Sequence, residues 1–213
     1  MTFSICVREN YEIDDTAHYR FGVAVTTRRP SIGARCPFVS KHGAIATQSV
    51  TNPALGQAGL KHVREGLRLE DSLTALLNVD SNVSGRQVHG ICREDTYAFS
   101  GEECGDWYGH TVGENYTVAG NLLAGDVVLD AITNKYESQD RDTSLSGRLI
   151  QCLGTGQKAG GDKRTDRTVQ SAAVRVRTTE KTPFPAFHND LRVDVTESPI
   201  RDLQRIHDRA LNI

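Results

Sequence analysis

The sequence predicts one α+β domain in which two helical layers enclose two antiparallel sheets. Two observations carry this expectation. Stretches of strand character and helical stripes follow one another in the order sheet, helix pair, sheet, helix pair, sheet, terminal helix. Elements with one apolar side bury it only by stacking into layers. The chain has 213 residues, within reach of a single domain, and no low-complexity linker or fixed-period repeat divides it. A chain of this length buries about 70% of the surface its unfolded form exposes, so no metal or disulfide staple is required.

TFSICVR (2–8) is apolar enough for a first strand, and the polar residues 9–19 follow as a loop or hairpin. FGVAVTT (21–27) is a second strand whose valines suit a sheet buried on one face. Gly33 and Pro37 punctuate a crossing segment before a third strand, GAIATQSV (43–50). At Asn52-Pro53 the texture changes, with Pro53 suited to a first helical turn and Asn52 to its N-cap. Leu55, Leu60, Val63 and Leu67 recur at near-helical spacing, although Gly56 and Gly59 weaken that helix. A clearer helix, LEDSLTALLNV (69–79), carries Leu69, Leu73, Leu76 and Leu77 in one stripe.

RQVHGIC (86–92) and the TYAFS that follows it predict a hairpin. A Gly-rich segment runs from Gly101 to Gly125, and within it YTVAGN (116–121) is a strand candidate. DVVLDAITNKYES (126–138) and LSGRLIQCLGTG (145–156) fit amphipathic helices. Residues 157–168 are polar and read as a connection. QSAAVRVRT (170–178) and LRVDV (191–195) are strands, and Pro199 opens a final helix.

Composition narrows the function classes. Twenty-five basic and 27 acidic residues leave a formal charge of −2, which gives no reason to expect a nucleic-acid or anionic-membrane partner. The five cysteines, Cys6, Cys36, Cys92, Cys104 and Cys152, are odd in number, scattered and without a CxxC pair. Reduced thiols in a cytoplasm are the simpler reading than a disulfide framework or thiolate zinc site. The first 20 residues have no apolar core behind a basic start, and no stretch approaches the ~20 apolar residues of a membrane span. The expectation is a soluble, cytoplasmic protein with no cofactor. The seven histidines stand at isolated positions, so no zinc or other metal site is predicted. AGGDKR (159–164) has two glycines and a carboxylate but lacks the phosphate-loop pattern.

The N-terminus holds the candidate chemistry. Removal of an initiator Met exposes Thr2, which then carries a hydroxyl nucleophile and a free α-amine on adjacent carbons. Such an amine has an ordinary pKa of about 7.7–8.0, so it can take the hydroxyl proton without help from a histidine. A nearby cation lowers that pKa further, and backbone donors or an asparagine amide would hold the oxyanion. Position two alone supplies neither geometry nor partners, and an inert N-terminus is the plainer alternative.

Six segments in one order go further: TFSICVR, FGVAVTTR (21–28), GAIATQSVTNPALGQAGL (43–60), VAGNLLAG (118–125), AGGDKR with QSAAVRV (170–176), and NDLRVDV (189–195). Together they resemble, over nearly the whole chain, the uncharacterised family called domain of unknown function 1028. That family is grouped with the N-terminal-nucleophile hydrolases, which include proteasome β subunits. The resemblance implies a four-layer αββα sandwich of the N-terminal-nucleophile hydrolase type, with the nucleophile on the first strand. Residues 9–20 look longer and more polar than the family pattern, and the acidic-Cys stretch around Glu102, Glu103 and Cys104 is also longer.

Carried over by the resemblance, Thr2 matches the family's N-terminal threonine and Arg28 a basic residue just after the second strand. Asn121 falls in the shared VAGN segment, and Gln48, Asp162, Gln170, Asp190, Arg192 and Asp194 fall in the others. Each has a plainer reading. Arg28 is a tuner of the Thr2 amine and a binder of an acidic substrate group, or a solvated strand-end arginine. Asn121 is an oxyanion donor or a turn residue. Gln48 is a pocket wall or a structural bridge, since a buried glutamine needs partners. Asp190, Arg192 and Asp194 alternate on one face of a strand and form a substrate or metal clamp or a surface ion pair. The expected activity is that of an amidohydrolase acting on a small amide or short peptide, with Thr2, Arg28 and Asn121 catalytic and Gln48, Asp162, Gln170, Asp190 and Arg192 binding substrate. A non-catalytic small-molecule binding or assembly protein on the same fold is the alternative. A homo-oligomer is expected.

Overall fold

The structure, a computed structural model, describes residues 1–161 and 170–213. Strands β1 (Thr2–Ile13) and β2 (Thr16–Thr27) form one long antiparallel hairpin. Its turn is made by Asp14 and Asp15, both in the left-handed region at φ 48° and 58°. Paired left-handed residues match the twist of a two-residue hairpin, and aspartate tolerates them better than most side chains. The polar residues 9–19 therefore continue the strands rather than leave them. Their polarity reflects exposure, because residues 12–17 are all exposed.

Next come β3 (Pro37–Ser40), β4 (Gly43–Ser49), helices α1 (Pro53–Arg64) and α2 (Leu69–Asn78), and strands β5 (Arg86–Cys92), β6 (Thr96–Ser100), β7 (Tyr108–Val112) and β8 (Tyr116–Asn121). Helices α3 (Val127–Glu137) and α4 (Leu145–Lys158), strands β9 (Gln170–Thr178) and β10 (Asp190–Thr196), and helix α5 (Pro199–Ala210) complete the described chain. Asn52 caps α1 as expected, its side chain accepting from the Ala54 N–H at 3.1 Å. Two strands were not foreseen. Both β3 and β7 lie at sheet edges, where strands are short and tolerate the Pro37, Gly109 and polar residues that mask their pattern.

One antiparallel sheet has the order β10-β9-β2-β1-β8-β7 and the other β3-β4-β5-β6. Three buried clusters show how they stack. Phe3, Ile5 and Val7 on the outer face of β1 pack with Val128, Ile132, Leu149, Leu153 and Leu203 of α3, α4 and α5. Leu55, Leu69, Leu73 and Leu77 of α1 and α2 cover Ile45 and Val88 on the outer face of the smaller sheet. Between the sheets lie Cys6, Val23, Val25, Ala44, Ala46 and Ile91. The architecture is α+β, with two antiparallel sheets and five α-helices among the described residues. No described helix is long and apolar enough to cross a membrane.

Candidate active site

Thr2 opens β1, a strand inside the six-stranded sheet, so its surroundings follow from register. Ser171 pairs with Thr27, Thr27 with Thr2, Thr2 with Asn121, and Asn121 with Tyr108. Directly opposed residues in antiparallel strands share a face. One row at one end of the sheet therefore presents Ser171, Thr27, Thr2, Asn121 and Tyr108 toward the second sheet. Alternation along β1 puts Phe3, Ile5 and Val7 on the helical side and Thr2, Ser4 and Cys6 on the inter-sheet side.

Thr2 is 7% exposed. Thr27 donates its hydroxyl proton to the Met1 carbonyl at 2.6 Å. The Thr2 hydroxyl consequently donates to Thr27 Oγ1 at 2.9 Å. Met1 itself is buried and belongs to the helical-side core. Arg28 directly follows Thr27 and is half-buried.

Behind this row the inter-sheet space holds a connected polar seam. Asn121 Nδ2 donates to Gln87 Oε1 at 3.0 Å, and Gln48 Nε2 donates to the same oxygen at 2.8 Å. Gln87 Nε2 reaches Ser100 Oγ at 2.8 Å and the Gly120 carbonyl at 3.0 Å. Because a carbonyl only accepts, the Gln87 amide nitrogen is fixed on that side and its oxygen faces Gln48 and Asn121. Gln48 must then turn its nitrogen to Gln87 and its oxygen to Ser4. Ser4 Oγ donates to Gln48 Oε1 at 2.7 Å, so its contact with His89 Nε2, also 2.7 Å, has the ring N–H as donor. His89 Nδ1 is left to accept from Thr117 Oγ1 at 2.8 Å. The network thus assigns the Nε2–H tautomer. His89 is fully buried, and burial, reinforced by the charge of His110, pushes its pKa down to about 3. It stays neutral at ordinary pH.

The residues expected from sequence therefore divide. Thr2 and Asn121 lie side by side, and Gln170 begins β9 next to Ser171, within one strand of Thr27. Gln48 is fully buried and bridges the two sheets through Ser4 and Gln87. Asp190 and Arg192 lie elsewhere, on the edge strand β10, three strands from β1. Asp190 pairs with Arg175 at 3.1 Å and Arg177 at 2.6 Å, and Arg192 with Asp194 at 3.1 Å. Burial raises the Asp190 carboxyl, but the Arg177 hydrogen bond and the Arg175 charge outweigh it and hold the pKa below the usual value. Asp162 lies outside the described residues.

Ser4, Gln87, His89 and Thr117 were not singled out by sequence as part of a site. The available signal was the i, i+2 placement of Gln87 and His89 within an otherwise apolar strand, which puts both on one face. Among the described residues no group of three or more His, Cys, Asp or Glu side chains is placed to hold a metal ion. All five cysteines are buried and free. Burial above all raises their thiol pKa values, to about 11 at Cys92 and about 12 at Cys152, which disfavours the nucleophilic thiolate.

The model of a family described as a family of unknown function (DUF1028) matches residues 2–203. No curated protein matches the chain. The crystal structure of protein SPO2555 from Silicibacter pomeroyi, assigned to the same family, is similar in fold. It superposes with a TM-score of 0.80 at 25% identity, covering 98% of this chain and 88% of the other.

Proposed function

The chain belongs to the DUF1028 family of unknown function, and from its geometry we propose an N-terminal-nucleophile amidohydrolase in which Thr2, exposed by loss of Met1, attacks a small amide or short peptide. The observation that carries this reading is the place of Thr2. It heads an inner strand, on the inter-sheet side, with its hydroxyl held by Thr27 and Asn121 opposite in register.

In this proposal the freed α-amine takes the Thr2 hydroxyl proton, directly or through water, as Oγ1 attacks the carbonyl carbon. The tetrahedral intermediate collapses to an ester on Thr2, and the departing amine takes the proton from the α-ammonium. Water then hydrolyses the ester, with the amine again as base. Loss of Met1 also removes the carbonyl that Thr27 donates to. The Thr27 hydroxyl is thereby released to orient Thr2 Oγ1, which makes Thr27 a positioning residue. Asn121 commits one amide hydrogen to Gln87 and offers the other to the oxyanion. Arg28 disfavours the ammonium form of the Thr2 amine.

A hydroxyl-acylating β-lactone probe tests this without knowledge of the substrate. Intact protein mass and peptide mapping should place one adduct on Thr2 and none in Thr2→Ala. On any amide that is turned over, Thr2→Ala should lower kcat by on the order of 10³-fold or more, and Thr2→Ser should retain activity. A Thr2→Ala protein as active as the wild type would refute the mechanism.

A second reading has its own observation. Met1 is 6% exposed, packs into the helical-side core and accepts from Thr27. If Met1 is retained, the amine is blocked and the same fold serves a binding or assembly role.

A further inference from the structure

The β1–β2 hairpin outruns its sheet. Strand β8 pairs with β1 only over Thr2–Val7, and β9 with β2 only over Arg20–Thr27. Beyond Arg8 and Tyr19 the two strands ladder with each other alone, and a lone two-stranded ribbon is marginal in water. Tyr11 ties the ribbon to Thr178 and Glu180, but residues 12–17 at its end are all exposed. That tip sets Glu12, Asp14 and Asp15 around Ile13, an apolar side chain 41% exposed. No basic residue lies among them, and none of the three acids has an ion-pair partner among the described residues.

A groove of about 820 Å³ lies on the helical layer between α4, α5 and the end of α3. Its walls carry Lys135, Lys158, Arg201, Arg205 and Arg209 against one carboxylate, Asp208. Of these cations only Arg205 has an ion pair among the described residues, with Asp202 at 3.5 Å. The floor is apolar, made by Ile150, Gly154 and Ile200. It is open at Gly154, where a Cβ would find Ile200 Cγ2, at 3.8 Å, as its neighbour across the groove.

The two surfaces answer each other. Unpaired acids surround an apolar side chain on the tip, and cations almost free of partners surround an apolar floor in the groove. Opposite potentials of this kind steer association and fix register. The tip cannot fill the groove of its own chain. Gly22 lies against Leu145 and Leu149 in the first turns of α4, and Phe3 against Gly156 near its end. Helix α4 therefore runs from Gly22 toward Thr2, and the groove takes its later residues, 150–158. From Gly22 to Asp14 the ribbon runs the other way, for roughly 26 Å at about 3.3 Å per residue. We propose that the hairpin tip of one copy of this chain seats in the α4–α5 groove of a second copy. Ile13 then lies on the Ile150 and Ile200 floor, with Glu12, Asp14 and Asp15 among the cations. Tip and groove are different surfaces, so the contact is heterologous and closes as a reciprocal pair or a ring. It does not depend on the Thr2 chemistry.

Multi-angle light scattering on the full chain tests this at about 0.1 M and about 1 M sodium chloride, between which the screening length falls from about 10 Å to about 3 Å. The expected result is a mass above one chain at the lower salt and a dissociation constant at least about tenfold higher at the upper. Glu12→Lys with Asp14→Asn and Asp15→Gly reverses the tip and keeps residues that favour its left-handed turn. Lys158→Glu with Arg201→Glu and Arg205→Glu reverses the groove. All six positions are exposed, so circular dichroism should match the wild type. Each triple variant alone should be monomeric, because its tip and groove repel. An equimolar mixture of the two should associate again, because each tip then meets a groove of opposite charge. Thr2→Ala should associate like the wild type. A wild-type chain that stays monomeric at low salt up to its solubility limit would overturn the proposal. So would association that neither triple variant weakens, or a mixture that stays monomeric.

Discussion

Under β2 and β9 the inter-sheet layer is filled by Val23, Val25 and Ala173, which meet Ala44, Ala46 and Ile91 of the smaller sheet. Under β1, β8 and β7 the same layer, equally shielded from water, holds Ser4, Gln48, Gln87, His89, Thr117 and Asn121. The apolar half needs only volume and complementarity. The polar half is costly unless every buried donor meets an acceptor, and none of its fully buried side-chain nitrogens and oxygens lacks a partner among the described residues. The apolar half stabilises through burial. The polar half contributes geometry, because each hydrogen bond fixes the next. It links Asn121 of β8, beside Thr2, through Gln87 of β5 to Gln48 of β4, Ser4 of β1 and His89 of β5.

The largest expected effect separates the two halves directly. Gln87→Leu removes the acceptor of Gln48 and Asn121 and the donor to Ser100 and Gly120. With about 1–3 kcal/mol for each buried group left unpaired, urea unfolding should show a loss of roughly 3 kcal/mol or more. A loss below about 1 kcal/mol would mean that the seam is loose or wet.

Acid comes next. His89 titrates in the unfolded chain near an ordinary pKa of about 6.5, while in the fold burial lowers it to about 3. A depressed folded value means that the unfolded state binds the proton first. The stability linked to neutral His89 is therefore complete above about pH 6.5 and is lost progressively as pH falls toward the folded pKa, by up to about 1.4 kcal/mol per unit. The wild type should lose stability more steeply than His89→Gln between about pH 6.5 and pH 4. Parallel curves would place His89 in contact with water.

Thr117→Val removes the donor to His89 Nδ1 and should cost about 1–2 kcal/mol, although it replaces a side chain of nearly equal volume. The smallest effect belongs to the apolar half. Ile91→Val should cost about 0.5–1.5 kcal/mol and leave any activity unchanged. A larger cost for Ile91→Val than for Thr117→Val would invert the account.

Much of the fold was legible in the sequence, and the reasons are local. Pro53 with Asn52, the leucine stripe of α2 and the valines of β2 each announce an element within a few residues of themselves. The missing strands, β3 and β7, lie at edges where polar residues, Pro37 and Gly109 carry no alternation. The extended ends of β1 and β2 were legible only as a loop or hairpin, because an exposed ribbon has no apolar face to write, and the structure shows the hairpin. The site was legible only in part. Thr2 and Asn121 came from a resemblance, and register places them side by side. His89 looked isolated because its partners, Ser4 and Thr117, are 85 and 28 residues away in sequence. Asp190 and Arg192 show the reverse case, in which adjacent charges on a strand pair with neighbouring arginines and aspartates far from Thr2.

The account turns on whether Thr2 carries a free amine. Intact mass and N-terminal sequencing of the protein purified from the cell that makes it measure this directly. The predicted result is a chain lacking Met1, with Thr2 as its first residue. Full retention of Met1, still seated against Thr27, would contradict the proposed chemistry and leave the row of Thr27, Thr2 and Asn121 as the wall of a binding site.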